Sequence, residues 1–250
     1  MSTPITYRDH LIDRYALLYN WLPDSGPMLD VGCGNGIYTS WLAKKGAPVF
    51  GIDHNMANLQ WARNEFPGIG FCSANGEHLP FPDNYFNAVM CTEVLEHTKD
   101  DKSTLQEISR VTKPGGMLLL STPHRGLFAF LDPDNCTNRG FDLLRKARIP
   151  KPGGGRFFQN FRYDIHRHYS KAQLASLLDN NWQIEEIYYG GLLFYPLFYG
   201  VENLIDAFSK KRSYWMNLKT LRTLRAWDFS LRCGKLSYNI ALKCRKSMNN

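Results

Sequence analysis

Two short stretches carry residue types able to do chemistry. The first is Asp30-Val-Gly-Cys-Gly-Asn-Gly36, with glycines at the alternate positions 32, 34 and 36. An apolar run that reads as a buried strand precedes it, and residues 37–45 after it read as a helix. Glycine lets a ligand approach bare backbone, and a helix N-terminus offers unpaired N–H groups. The spacing is not the Gly-x-Gly-x-x-Gly of a dinucleotide site, because the third glycine comes one residue early. Asp30 would also oppose a pyrophosphate, whereas a carboxylate suits a cation such as an ammonium. These residues imply a nucleoside with a cationic amino-acid end. The second stretch is Glu93-Val-Leu-Glu-His97, two carboxylates and an imidazole within five residues. Sharing one face of a turn, Glu93, Glu96 and His97 would hold a divalent cation, with a fourth ligand drawn from His124, His166 or His168.

Strands must present these groups. Apolar runs place them at 27–31, 49–53, 70–74, 87–91, 117–121, 183–189 and 237–244. Helical spacing predicts helices over 7–22, 102–111 and 171–178, the last capped by Ser170. The run 117–121 is continuously apolar, as for a strand covered on both faces. Asp53 ends the second strand, 17 residues beyond Gly36, close to the distance at which an acid reaches a ribose. Its two oxygens can accept from both hydroxyls. His124 follows the fifth strand at its carboxyl end, where ligands of open α/β sheets bind. That makes it a candidate substrate contact or general base, with an ordinary loop histidine as the alternative.

At 250 residues the chain reads as one domain, 1–250, with insertions, and 44% hydrophobic content argues against long disorder. A net charge of +7 favours an anionic partner: nucleic acid, an acidic lipid surface or a phosphorylated substrate. A basic enzyme with no such partner is the plainer alternative. Six cysteines without zinc-like spacing read as free thiols in a reducing, cytoplasmic compartment. The N-terminus has no signal-peptide core, and the longest apolar run, 192–201, is far short of the roughly twenty residues that span a bilayer. Two stretches fall outside the strand–helix pattern. Residues 125–163 interleave aromatic and basic side chains and read as a lid or recognition segment for an anionic or extended substrate, with a solvated basic loop as the alternative. Residues 190–236 read as an insertion between the last two strands. In and just after its second helix, 214–231, Leu221, Leu224, Trp227 and Leu231 oppose Arg222, Arg225 and Arg232, a basic amphipathic pattern that suits a membrane surface or a lipophilic substrate; two helices packing over the substrate pocket are the alternative.

Five ordered stretches resemble the class I S-adenosylmethionine-dependent methyltransferases. They are Asp30–Gly36, Val49-Phe-Gly-Ile-Asp-His54, Asn75-Gly-Glu-His-Leu-Pro-Phe-Pro-Asp83, Phe86–His97 and Lys113–Pro123. The branch they resemble includes quinone-biosynthesis and other small-molecule methyltransferases. The resemblance implies a doubly wound, Rossmann-like α/β fold with seven strands in the order 3-2-1-4-5-7-6, strand 7 antiparallel. It implies S-adenosylmethionine as cofactor, held by Asp30, Gly32, Gly34, Gly36, Asp53, His54, Asn75 and Gly76. His54 would lie against the adenine, and Asn75 stands where the family usually has an Asp that accepts from the adenine amino group. His97 and His124 are the candidate catalytic residues. Glu93, Glu96 and His97 also resemble the metal site of small-RNA 3′-terminal 2′-O-methyltransferases, which implies magnesium or manganese; the same string resembles that of metal-free relatives of this branch, which implies instead a Glu and His that cap the helix that follows, beneath a substrate. The function implied is methyl transfer to a small or lipid-linked acceptor, with oxygen the expected atom. Metal-dependent RNA 2′-O-methylation and a non-catalytic cofactor-binding module are the alternatives.

Overall fold

The computed structural model describes residues 13–127, 129–132, 135, 166–192 and 219–248. Tyr7 with the start of the first helix, most of the 125–163 stretch and the aromatic run 193–201 lie outside the described residues.

The chain forms helix α1 (Asp13–Trp21), strand β1 (Met28–Val31), α2 (Ile37–Ala43), β2 (Val49–Asp53), α3 (Met56–Glu65) and β3 (Gly70–Ser73). Then come β4 (Phe86–Thr92), α4 (Asp101–Val111) and β5 (Thr112–Pro123). Helix α5 (Lys171–Leu178), β6 (Trp182–Gly190), α6 (Lys219–Ser230) and β7 (Asn239–Lys246) complete it. The seven strands lie in the order β3-β2-β1-β4-β5-β7-β6. Strands β1 to β5 pair in parallel, and β7 runs antiparallel to both neighbours. This is the expected order.

The sheet is covered on both faces, which is why its central strands are apolar without alternation. Leu29, Val31, Val89, Cys91, Leu118 and Leu120 point to one side, where Leu105 and Ile108 of α4 and Leu174 of α5 meet them. Met28, Ala88, Met90 and Leu119 point to the other, against Leu18 of α1 and Leu42 of α2. Each fully buried Leu contributes roughly 1.5–3 kcal/mol relative to exposure. Helices α4 and α5 begin at polar caps. Asp100 accepts from Ser103 N, and Ser170 and Gln173 form a reciprocal capping box on α5.

Two boundaries differ from expectation. Lys113-Pro-Gly-Gly, which reads as a turn, is a bulge within β5: Phe86 pairs with Thr112, and the ladder resumes at Ala88 with Met117. Strand β7 begins at Asn239 rather than 237, because Ser237 and Tyr238, though buried, turn away to bond neighbouring loops. The longest described element of the insertion between β6 and β7 is α6. It packs through Phe229, whose ring stacks on Tyr188 at 5.2 Å, and through buried Asp228, which accepts from Leu192 N. Trp227 and Leu224 stay at the surface, 51% and 37% exposed. Among the described residues no helix is long and apolar enough to cross a membrane.

Candidate active site

Strand β1 lies between β2 and β4, so the chain switches direction there and a crevice opens at the carboxyl ends of the strands. The glycine loop fills one side of it. Gly32, Gly34 and Gly36 all have positive φ, at 74°, 53° and 74°. A Cβ at Gly32 would lie 2.2 Å from Val94 Cγ2, and one at Gly36 would lie 2.7 Å from Phe71 Cζ. A Cβ at Gly34 would meet nothing within 4 Å. Two of the glycines therefore let the loop fold, while Gly34 faces open space. Asp53 fastens the loop: its Oδ2 accepts from Gly34 N at 2.8 Å and its Oδ1 from Asn55 N at 2.7 Å. Gly32 N and Cys33 N both donate to Ile52 O.

Asp30 lies beneath this loop, not on its surface. It is buried, and Thr39 Oγ1 donates to it at 2.6 Å, tying α2 to β1. Burial pushes its pKa up to about 7, against the Thr39 bond and with the help of Asp53's charge. His54 is exposed beside Asp53, 3.6 Å from its Oδ1. Asn75 Nδ2 donates to Glu77 Oε2, and Gly76 packs near Thr104.

The other side of the crevice is built from side chains. Beyond β4, Glu93 takes φ 54°, a left-handed conformation uncommon outside glycine. This kink separates the two glutamates. Glu93 Oε1 accepts from Ser121 Oγ at 3.1 Å and Asn239 Nδ2 at 2.9 Å, and Arg14 Nε of α1 is 3.6 Å away. Glu96 turns the opposite way. Its carboxyl is 2% exposed; Oε2 accepts from Thr122 Oγ1 at 3.2 Å, and buried Oε1 has no hydrogen-bond partner. Burial, and then the charge of Glu93, raise its pKa to about 8.

Glu96, His97 and His166 bring one ligand atom each to within 4.8 Å of one another. His97 Nε2 and His166 Nε2 are 3.1 Å apart, and His166 Nδ1 is 3.1 Å from Asp132 Oδ2. Arg167 holds the short 3₁₀ turn Leu95–His97 from below. Its Nη2 donates to Leu95 O at 2.9 Å and to Thr98 O, and its Nη1 reaches Asp101 Oδ2 at 3.3 Å. Tyr169 Oη lies 3.2 Å from Leu95 O. The carbonyls such a turn leaves unpaired are thereby satisfied, which fixes where Glu96 and His97 point.

Two corrections to the sequence reading follow, and one choice among its candidates. Glu93 is not part of the three-residue group, because its left-handed backbone breaks the helical spacing that would align it with Glu96. His166, at first one of three candidates for a fourth ligand, belongs to the group. His124 does not join it. It is 4% exposed, with Nδ1 2.9 Å from Ser237 O, and burial lowers its pKa. That is a histidine packed between β5 and the start of β7. Asp132, Tyr238 and Arg167 drew no attention in the sequence. The one signal for Asp132 is an acid beside a strongly basic stretch.

Residues 29–120 match the family model for a methyltransferase domain. A ubiquinone biosynthesis O-methyltransferase of Alkalilimnicola ehrlichii is 39% identical over 113 residues, covering 42% of this chain and 46% of that one. A protein of the same name from Paracidovorax citrulli is 36% identical over 126 residues, covering 46% of this chain and 53% of that one. The chain thus spans about half the length of the curated relatives it matches. The crystal structure of the [4+2]-cyclase SpnF superposes with a TM-score of 0.61 at 20% identity, covering 94% of this chain and 81% of that one. That likeness concerns the fold. The glycine loop and the strand order agree with that match, and the chain is similar to class I S-adenosylmethionine-dependent methyltransferases, those of quinone biosynthesis among them.

Proposed function

We propose that the chain transfers a methyl group from S-adenosylmethionine to an oxygen of a small or lipid-linked acceptor. One juxtaposition carries this reading: an open glycine loop fastened to Asp53, and the Glu96–His97–His166 group, at the carboxyl edge of one sheet. The resemblance to O-methyltransferases supports the choice of oxygen. When bound, the cofactor supplies an electrophilic methyl whose leaving group is a neutral thioether. The chain must therefore mainly align the acceptor and take its proton. Gly34 offers bare backbone to the cofactor. Asp53 has accepted one N–H on each oxygen and retains lone pairs for two ribose hydroxyls. His54, Asn75 and Gly76 flank the adenine, and Asp30 acts through its field from beneath the loop.

Glu96, His97 and His166 serve the acceptor. The unpartnered Glu96 Oε1 and the two facing imidazole nitrogens fit a divalent cation as well as a proton. A cation there would lower the pKa of an acceptor hydroxyl. Two nitrogen donors favour manganese or another transition ion over magnesium. Glu96 would lose its proton as the cation binds. Exposed Leu127, Phe130 and Leu236 (55%, 59% and 49%), near Arg125 and Lys235, support an acceptor with an apolar tail or one presented at a lipid surface.

The test is transfer of labelled methyl to a catechol, with and without a polyprenyl tail, in manganese and after chelation. The expected result is transfer that Glu96→Gln lowers about 100-fold. A chain that binds S-adenosylhomocysteine yet methylates no phenolic hydroxyl would overturn the oxygen-acceptor reading.

A further inference from the structure

We propose that Asp132 is a positioning residue that fixes the tautomer of His166 and aims its Nε2 lone pair at Glu96 and His97. The proposal rests on the reading of that group as the site serving the acceptor. Asp132 is fully buried, and its Oδ2 accepts from Tyr238 Oη at 2.8 Å and from His166 Nδ1 at 3.1 Å. His168 Nε2 is 3.3 Å from the same oxygen, without hydrogen-bonding alignment. Asp132 Oδ1 accepts from Asn135 N at 3.0 Å. An ionised carboxylate only accepts. The proton shared with His166 therefore sits on Nδ1, and Nε2 is left with a lone pair.

The backbone of His166 is held as firmly as its ring. Asn135 Oδ1 accepts from His166 N, and Asn135 Nδ2 donates to His166 O, both at 2.9 Å. Two side chains three residues apart thus clamp one histidine at its ring and at both backbone groups. The other ring nitrogen is the one 3.1 Å from His97 Nε2. A carboxylate that orients a histidine in this way raises its basicity toward a cation or a proton, and losing it typically costs 10- to 100-fold in metal affinity or activity. Tyr238 immediately precedes β7, so Asp132 also joins the group to the last strand of the sheet.

The full chain, labelled with ¹⁵N-histidine, would be examined by long-range ¹H–¹⁵N correlation, with His166→Gln giving the assignment. The wild type is expected to show His166 protonated at Nδ1 and bare at Nε2. Asp132→Asn, whose amide can donate to Nδ1, is expected to move the proton to Nε2 and to weaken manganese binding about 10- to 100-fold. Binding of S-adenosylhomocysteine, on the far side of the crevice, should stay within about twofold and so reports a folded variant. An Nε2–H tautomer or an imidazolium in the wild type would overturn the proposal, and so would an unchanged tautomer in Asp132→Asn. If Asp132→Asn does not fold, the wild-type spectrum decides alone. A wild type with the expected tautomer but no affinity for manganese upholds the role of Asp132 and removes the cation from the proposed function.

Discussion

The two sides of the crevice are built by different means. The side proposed for the cofactor is local and made of backbone. Glycine φ angles shape it, and its long-range tie, Asp53 to Gly34, spans 19 residues. The side proposed for the acceptor is made of side chains gathered from across the chain. His97 and His166 are 69 residues apart, and Glu93 and Asn239 are 146 apart. A ligand common to a whole family can be met by backbone, which every sequence has. An acceptor particular to one enzyme must be met by side chains, and these depend on the whole fold to come together.

The sharpest way to break this contrast is inside the glycine loop. Gly32→Ala adds a Cβ 2.2 Å from Val94 at positive φ, so it should destabilise the chain by roughly 4 kcal/mol in urea unfolding. Gly34→Ala has open space and should cost about 1–2 kcal/mol of backbone strain, while still weakening cofactor binding strongly. Equal stability losses would mean that Gly34 is structural too.

Asp30 gives the next effect. Its folded pKa of about 7 lies above the ordinary 3.8, chiefly through burial. The folded state therefore binds more protons than the unfolded state between those values. The stability Asp30 contributes is full below pH 3.8 and is lost as pH rises toward 7. Asp30→Asn should remove that loss and raise stability at pH 8 by on the order of 2 kcal/mol. Urea unfolding at pH 5 and pH 8 reads the difference, and an unchanged pH slope would refute it.

On the acceptor side, Arg167→Leu should release the turn that carries Glu96 and His97. Manganese affinity should fall about tenfold, with binding of S-adenosylhomocysteine unaltered. Parallel losses of both would show that the two sides are not separately built. The smallest effect belongs to His124. His124→Gln should change the methylation rate less than about twofold and cost about 1 kcal/mol of stability, through the bond to Ser237 O. A large fall in rate with stability intact would restore His124 as a catalytic residue.

The same contrast explains what could be read from the sequence. The sheet order was legible through the family resemblance, whose five motifs lie in order along the chain, and the buried strands are plain apolar runs. The glycine loop and Asp53 were legible because they are near neighbours. Glu93 was misplaced because helical spacing assumes a helical backbone, and its φ of 54° is a turn that no pattern announces. His124 and His166 looked alike as isolated histidines. What separates them is Asp132 beside one and Ser237 O beside the other, both fixed by tertiary contacts alone. The start of β7 was placed two residues early because Ser237 and Tyr238 are buried without being in the ladder.

The central claim is that the Asp53-fastened loop is the cofactor site, whatever the acceptor side does. Calorimetric titration of S-adenosylhomocysteine into the wild type and Asp53→Ala tests it most directly. The account predicts micromolar binding that Asp53→Ala weakens by about 10- to 100-fold, through lost hydroxyl contacts and a loosened Gly34. Absence of binding by a folded wild type, or equal affinity in Asp53→Ala, would contradict it.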